Sequence, residues 1–359
     1  MDEKVLVTGC NGFIALHVLS VLLSEGFHVI GTVRSQSKGN KVKESFAELY
    51  PYAKLDIEIV SDITQEGAFD AVLKKYPDLQ HVLHMAANFS FGSDQGTNEE
   101  TYLIPSTAGT KSILNSVLKL GSNVKTVVQT SSFASIMNVE NPGLLHTEET
   151  WNPITWDKAK DNAASAYVAS KKLAEKVSWE FLEEHASEVK FRYTAVCPPY
   201  VLGPQMFEWG LASDTLNTSA ELVNSALKST PKSEINTEEP NGLVCDVRDV
   251  ALLHMLPLRN EKLGGQRLFP VSGANLKDHQ YEDAKFNVQR ILDVLNAKFP
   301  ELNGKISKGT TKDNKGALAK IFNYNTDLTC ELTGLDFKPF EVTVFDSAKQ
   351  ILDYQAAHK

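Results

Sequence analysis

Between residues 4 and 130 the chain repeatedly changes its hydrophobic period, from short β-rich runs to longer helical stretches and back. The β-rich runs are KVLVT (4–8), HVIGTV (28–33), LDIEIV (55–60), HVLHMA (81–86) and VKTVVQT (124–130). Helical patterns fall between them, at about 12–24, 40–49, 65–76 and 101–120. Neighbouring parallel strands need a crossover long enough to return to the same edge, and a helix supplies it. Five strands linked in this way predict an α/β fold with a doubly wound, Rossmann-type parallel sheet, and ligands at the carboxyl ends of its strands.

After Thr130 the rhythm breaks for about thirty-five residues rich in Asn, Pro, Trp and Thr, a length that favours a functional loop over an idle one. A helix then carries Tyr167 to about His185, and VKFRYTAVCP (189–198) reads as a sixth strand. The stretches GLVCDVRDVALLH (242–254) and QRLFPVSG (266–273) read as late returns to the sheet. With 359 residues, 42% of them hydrophobic, the chain has material for a second, smaller domain.

A formal net charge of -9 argues against a nucleic-acid surface, which needs a concentrated basic face. The opening MDEKVLVTG has neither the basic flank nor the apolar run of a signal peptide, and no stretch approaches the length of a membrane span. Cys10, Cys197, Cys245 and Cys330 lie far apart, without metal-ligand spacing, as expected of idle thiols in a reducing compartment. A cytoplasmic protein with no metal site is expected.

The first strand runs into VTGCNGFIA, that is Gly9-x-x-Gly12-x-x-Ala15. Gly9 permits a sharp strand-to-helix turn, Gly12 lets backbone amides approach a pyrophosphate, and small Ala15 lets the helix pack close to the strand. The helix start adds partial positive charge for the phosphates. A dinucleotide is therefore expected. The tip of the second strand, where a free ribose hydroxyl is usually met by Asp or Glu, reads VRSQSK instead. Arg34, with Lys38 one helical turn on, suits the 2'-phosphate of NADP(H). Asp62 and Ile63, after the third strand, are placed to meet the adenine, although Asp62 reads equally as a cap.

The fifth strand ends in TSSFAS, so the hydroxyls of Ser131 and Ser132 stand at the ligand edge. Thirty-five residues beyond Ser132, AYVASKKLAEK places Tyr167 and Lys171 at i and i+4 on one helical face. The Tyr-x-x-x-Lys spacing occurs twice more, at Tyr50 and Tyr281, but Pro51 interrupts the first and no strand precedes the second. A free phenol titrates near ~10, and an ammonium about 5 Å away would stabilise its phenolate by roughly two units. That suits Tyr167 as a general acid, with Ser132 hydrogen-bonding the same substrate oxygen. Along this helix Ala174, Val177 and Phe181 are expected to pack, and Lys172, Glu175 and Glu183 to face water.

Together, TGxxGxxA, TSS and YxxxK resemble the extended short-chain dehydrogenase/reductase family. Further stretches, among them VIGTVRSQSK, EETWNPITW, TAVCPPYVLGPQMF and DVRDVA, are similar to the yeast NADPH-dependent methylglyoxal (isovaleraldehyde) reductases, relatives of plant dihydroflavonol reductases. The resemblance implies catalytic roles for Ser132, Tyr167 and Lys171. It implies NADP(H) contacts from Thr8, Gly9, Asn11, Gly12, Phe13 and Ile14, from Arg34, Lys38, Asp62, Ile63 and Met85, from Tyr167 and Lys171, and from Pro198, Val201 and Ser219. It implies an apolar substrate pocket with Phe133, Tyr200 and Phe207, and a small carbonyl compound as the partner of a monomer or homodimer. Residues 1–200 with about 243–272 would form the NADP-binding domain, and about 201–242 with 273–359 the substrate-binding domain. HMAANFSF (84–91) departs from the HTASPF usual in relatives, and Asn115 is a candidate for the Asn sometimes found on the fourth helix but is not counted among the site residues. A sugar-nucleotide epimerase, the main rival, would favour a carboxylate where Arg34 stands; a cofactor sensor without turnover would not need Ser132, Tyr167 and Lys171 together.

Overall fold

The computed structural model describes residues 3–87, 96–141, 143–277, 283–310 and 314–358. Its first elements alternate as β1 (Lys4–Thr8), α1 (Phe13–Ser24), β2 (His28–Val33), α2 (Gln36–Leu49), β3 (Leu55–Ile59), α3 (Asp70–Lys75), β4 (His81–His84), α4 (Ile104–Leu120) and β5 (Thr126–Thr130). There follow β6 (Leu145–His146), α5 (Ala163–Glu184), β7 (Arg192–Val196), β8 (Tyr200–Leu202), α6 (Thr218–Leu227), β9 (Gly242–Asp246), α7 (Val247–Arg259) and β10 (Gln266–Leu268). The last are β11 (Lys285–Phe286), α8 (Val288–Lys298), α9 (Lys315–Leu318), β12 (Asn323–Tyr324), α10 (Asp327–Thr333) and α11 (Phe340–Ala357).

The chain forms two compact units: residues 1–137, 149–197 and 251–268, and residues 138–148, 198–250 and 269–359. In the first, seven parallel strands run in the order β3-β2-β1-β4-β5-β7-β10. Val5, Leu6, Val7, Val82, Leu83, Val127 and Val128 are buried, the unbroken apolar pattern of strands covered on both faces. From β1 the chain winds outward to β2 and β3, then returns to β4 on the other side, so the switch point lies between β1 and β4. There the register sets Thr8 opposite His84.

In the second unit, β9 pairs with β8 in parallel and with β11 antiparallel. This corrects the reading of 242–254 as a return to the main sheet: β9 joins the smaller sheet, and the residues after it form α7. The apolar run GLVC fits any buried strand, and its partner was invisible in the sequence. Helices α6, α8 and α11 close the core of this unit around Val223, Phe286, Leu292, Phe340 and Val344. The DVRDVA motif serves structure here: buried Asp246 accepts from Arg248 Nε and Nη2 at 2.8 and 2.7 Å, and Arg248 Nη1 reaches Asp346.

Candidate functional site

The turn between β1 and α1 has the shape expected of it. Gly9 has φ +67°, a conformation that L side chains rarely adopt, and a Cβ there would stand 2.9 Å from the Cα of Ala86. Gly12 caps α1 with extended backbone, no side chain caps the helix, and its first turn has no acidic residue. No acidic side chain of that first turn therefore competes for the leading N–H groups of α1 or opposes its dipole.

A groove of about 400 Å³ opens there, lined by Gly9, Asn11 and Gly12 on the turn and by Ile63 and Met85. At its β2 end Arg34 and Lys38 are both exposed. Asp62 also lines it, but its carboxylate is engaged: Oδ1 accepts from the N–H and hydroxyl of Thr64 at 2.9 and 2.7 Å, and Oδ2 from Gln65. These bonds, Thr64 first, hold its pKa below the usual carboxylate value. Phe13 and Ile14 are half-buried in the first turn of α1, Phe13 edge-on to His17. Thr8 is fully buried beneath the turn and bonds to His84.

The two serines after β5 separate in role. Ser131 is buried and donates to Glu175 Oε2 at 2.5 Å. Ser132, half-buried, caps the short turn Phe133–Ser135 by accepting from the Ala134 N–H at 3.1 Å. Helix α5 packs against this turn. Asn162 caps α5 by accepting from the Ser165 N–H, which puts half-buried Tyr167 in its second turn with Lys171 one turn later. Burial pulls the Lys171 pKa from 10.5 down to about 8. The pair at Tyr50 straddles the end of α2, and Tyr281 lies outside the described residues.

Two expectations for α5 fail. Glu175 is fully buried, bound to Ser131, Ser135 and Trp179 and paired with Arg267 Nε of β10 at 2.6 Å. Lys172 is half-buried and donates to the Ile154 carbonyl at 2.6 Å. Helical periodicity cannot show that a distant arginine will neutralise a glutamate facing inward. Ala174 and Phe181 are buried and Val177 half-buried. Asn115 is exposed on α4, whereas Ser106 and Thr110 of that helix line a small cavity shared with His84 and Lys171. His84 was not among the expected site residues; its signal in the sequence is a polar residue closing a buried parallel strand.

Phe133 is buried in the first unit. Pro198, Val201 and Ser219 belong to the second, as do Tyr200, 40% exposed and edge-on to Phe286, and Phe207, stacked on Trp209. Of the stretch 84–91, residues 88–91 lie outside the described ones. Burial raises the thiols of Cys10 and Cys197 to about 12, and among the described residues no cluster is placed to hold a metal ion.

A family model for the NAD dependent epimerase/dehydratase family matches residues 5–269. The chain belongs to that family. Within it, the chain is 40% identical to the NADPH-dependent methylglyoxal reductase GRE2 of Saccharomyces cerevisiae, covering 98% of this chain and 99% of that one. It is 37% identical to a putative NADPH-dependent methylglyoxal reductase of Candida albicans, over 98% and 99%. The crystal structure of the yeast methylglyoxal/isovaleraldehyde reductase complexed with NADPH superposes with a TM-score of 0.88, at 38% identity and 99% coverage of both chains. Alfalfa vestitone reductase, 21% identical with a TM-score of 0.73, shares the fold.

Proposed function

We propose that the chain is an NADPH-dependent reductase that converts the carbonyl of aldehydes, α-keto aldehydes or ketones into an alcohol. One observation carries the reading: Tyr167 stands one helical turn from a desolvated lysine, on the helix packed against the Ser132 turn, in the unit whose glycine turn opens a groove tipped with Arg34 and Lys38. The likeness to NADPH-dependent methylglyoxal reductases supports the substrate class.

The glycine turn and the α1 amides would hold the pyrophosphate, and Arg34 with Lys38 the 2'-phosphate. Bound NADPH supplies the hydride. Tyr167 gives its phenolic proton to the oxygen that becomes the alcohol, while Ser132 hydrogen-bonds that oxygen as its charge develops. Lys171, as an ammonium, makes the phenol a stronger acid. In this reading the first unit is the cofactor-binding domain and the second, with Tyr200 and Phe207, the substrate-binding domain.

An epimerase regenerates its cofactor and would show no net consumption. The test follows NADPH absorbance with methylglyoxal, 3-methylbutanal and an aryl ketone. Wild type should consume NADPH with at least one of them, and Tyr167→Phe should lose about 10²- to 10⁴-fold in kcat. Cofactor that never turns over, or a Phe variant as fast as wild type, sinks the proposal.

A further inference from the structure

Thr8 fixes the state of His84. The Thr8 hydroxyl accepts from the N–H groups of Met85 and Ala86 at 3.0 and 2.9 Å, which occupies both its lone pairs. Its one proton therefore goes to His84 Nδ1, 3.0 Å away. Burial, and then the charge of Lys171, hold the ring neutral by lowering its pKa from 6.5 to about 4. A neutral imidazole that accepts at Nδ1 carries its proton on Nε2.

His84 and Lys171 both line a cavity of about 20 Å³, with Ser106, Thr110, Thr130 and Ser170 around it. The size suits a single water molecule. Two donors cannot bond each other, but a water can accept from both and turn its own protons toward the oxygens of the wall.

We propose that His84 is a positioning residue for Lys171: its Nε2–H and the Lys171 ammonium converge on one water molecule in this cavity, which anchors the ammonium at its inner end. Among the described residues no carboxylate lines this cavity. Of the elements packed against α5, the turn at 99–103 carries Glu99, bound to Trp156 and near Lys160, and Glu100, bound to Thr97. Lys158 and Lys160 stand on the turn at 158–160, the Ser132 turn has no charged side chain, and α4 presents Ser106 and Thr110 to the cavity. On α5 itself Glu175 is tied to Arg267. The water thus replaces hydration that burial removes from Lys171.

The proposal rests on the role given to Lys171 above, and the test separates the two. The pH titration of the Lys171 signal is followed by NMR in the whole, cofactor-free chain labelled with ¹³Cε-lysine, the signal being assigned by its loss in Lys171→Ala. In His84→Asn the amide takes the place of Nδ1 and keeps the bond to Thr8 but cannot reach the cavity; in His84→Gln it takes the place of Nε2. His84→Asn should lower the Lys171 midpoint by about one unit, the scale of one hydrogen bond to a charged group, and His84→Gln should restore it. Carbonyl reduction at pH 8 should then fall about fivefold in kcat in His84→Asn, by the drop in ammonium fraction that one unit implies. Ala174→Val, which fills the cavity from α5 and leaves His84 in place, should lower the midpoint likewise. A wild-type midpoint in both His84→Asn and Ala174→Val, or His84→Gln no better than His84→Asn, overturns the proposal. A shifted midpoint with an unchanged rate supports it and removes Lys171 from the chemistry.

Discussion

At the scale of single residues, chemistry here is set by which charges the protein takes out of water. Arg34 and Lys38 remain exposed at the groove, where a phosphate can meet them. Arg34→Ala should weaken NADPH binding by about 10- to 100-fold, the cost of losing charge-assisted hydrogen bonds, and leave NADH nearly unaffected. Fluorescence titration with both cofactors checks this, and equal losses refute the assignment. Buried His84 makes a different demand. Its pKa of about 4, against 6.5 in the unfolded chain, means that the unfolded state binds more protons between those values. Its contribution to stability is therefore intact above about 6.5 and falls by roughly 3 kcal/mol as the pH drops through 4. Denaturation of the His84→Asn variant should show a flatter acid limb than wild type. Lys171, lowered from 10.5 to about 8, burdens the fold fully below pH 8, and that burden fades as the pH rises toward 10.5.

At the scale of elements, the loop after β5, helix α5 and strand β10 meet at one buried ion pair. Glu175 Oε2 accepts from Ser131 and Ser135, Arg267 Nη2 donates to Ser135, and Arg267 Nη1 donates to the Thr150 carbonyl. Ser131 precedes Ser132, and Glu175 lies two turns beyond Tyr167, so the pair ties the serine turn to the tyrosine helix. Removing one partner leaves a buried charge uncompensated, at roughly 3–5 kcal/mol. Arg267→Ala should lower the thermal midpoint by on the order of 10 °C, which calorimetry would read. A midpoint within a degree or two of wild type would show that water reaches the site. Neither member announces itself in the sequence, since Glu175 sits at a position that helical spacing alone marks as wet and Arg267 is 92 residues away.

At the scale of the molecule, ligand binding should report on the groove. If NADPH binds the folded chain and not the unfolded one, it stabilises the fold by about 2.7 kcal/mol at one hundred times its Kd. A rise in unfolding temperature with NADPH, and a smaller one for Arg34→Ala at the same concentration, are the expected outcomes. Among the described residues no helix is long and apolar enough to cross a membrane. The parallel sheet, the Gly9 turn and the helical face shared by Tyr167 and Lys171 were legible in the sequence, because each rests on local periodicity or on one residue's backbone freedom. The sequence by itself could not say that β9 pairs with β8 and β11, that Ser131 is committed to Glu175 while Ser132 caps the next turn, or that His84 shares a cavity with Lys171. Those were decided by the tertiary structure, because strand partnership, ion pairing and desolvation depend on residues far apart in the chain, and periodicity carries no information about distant partners.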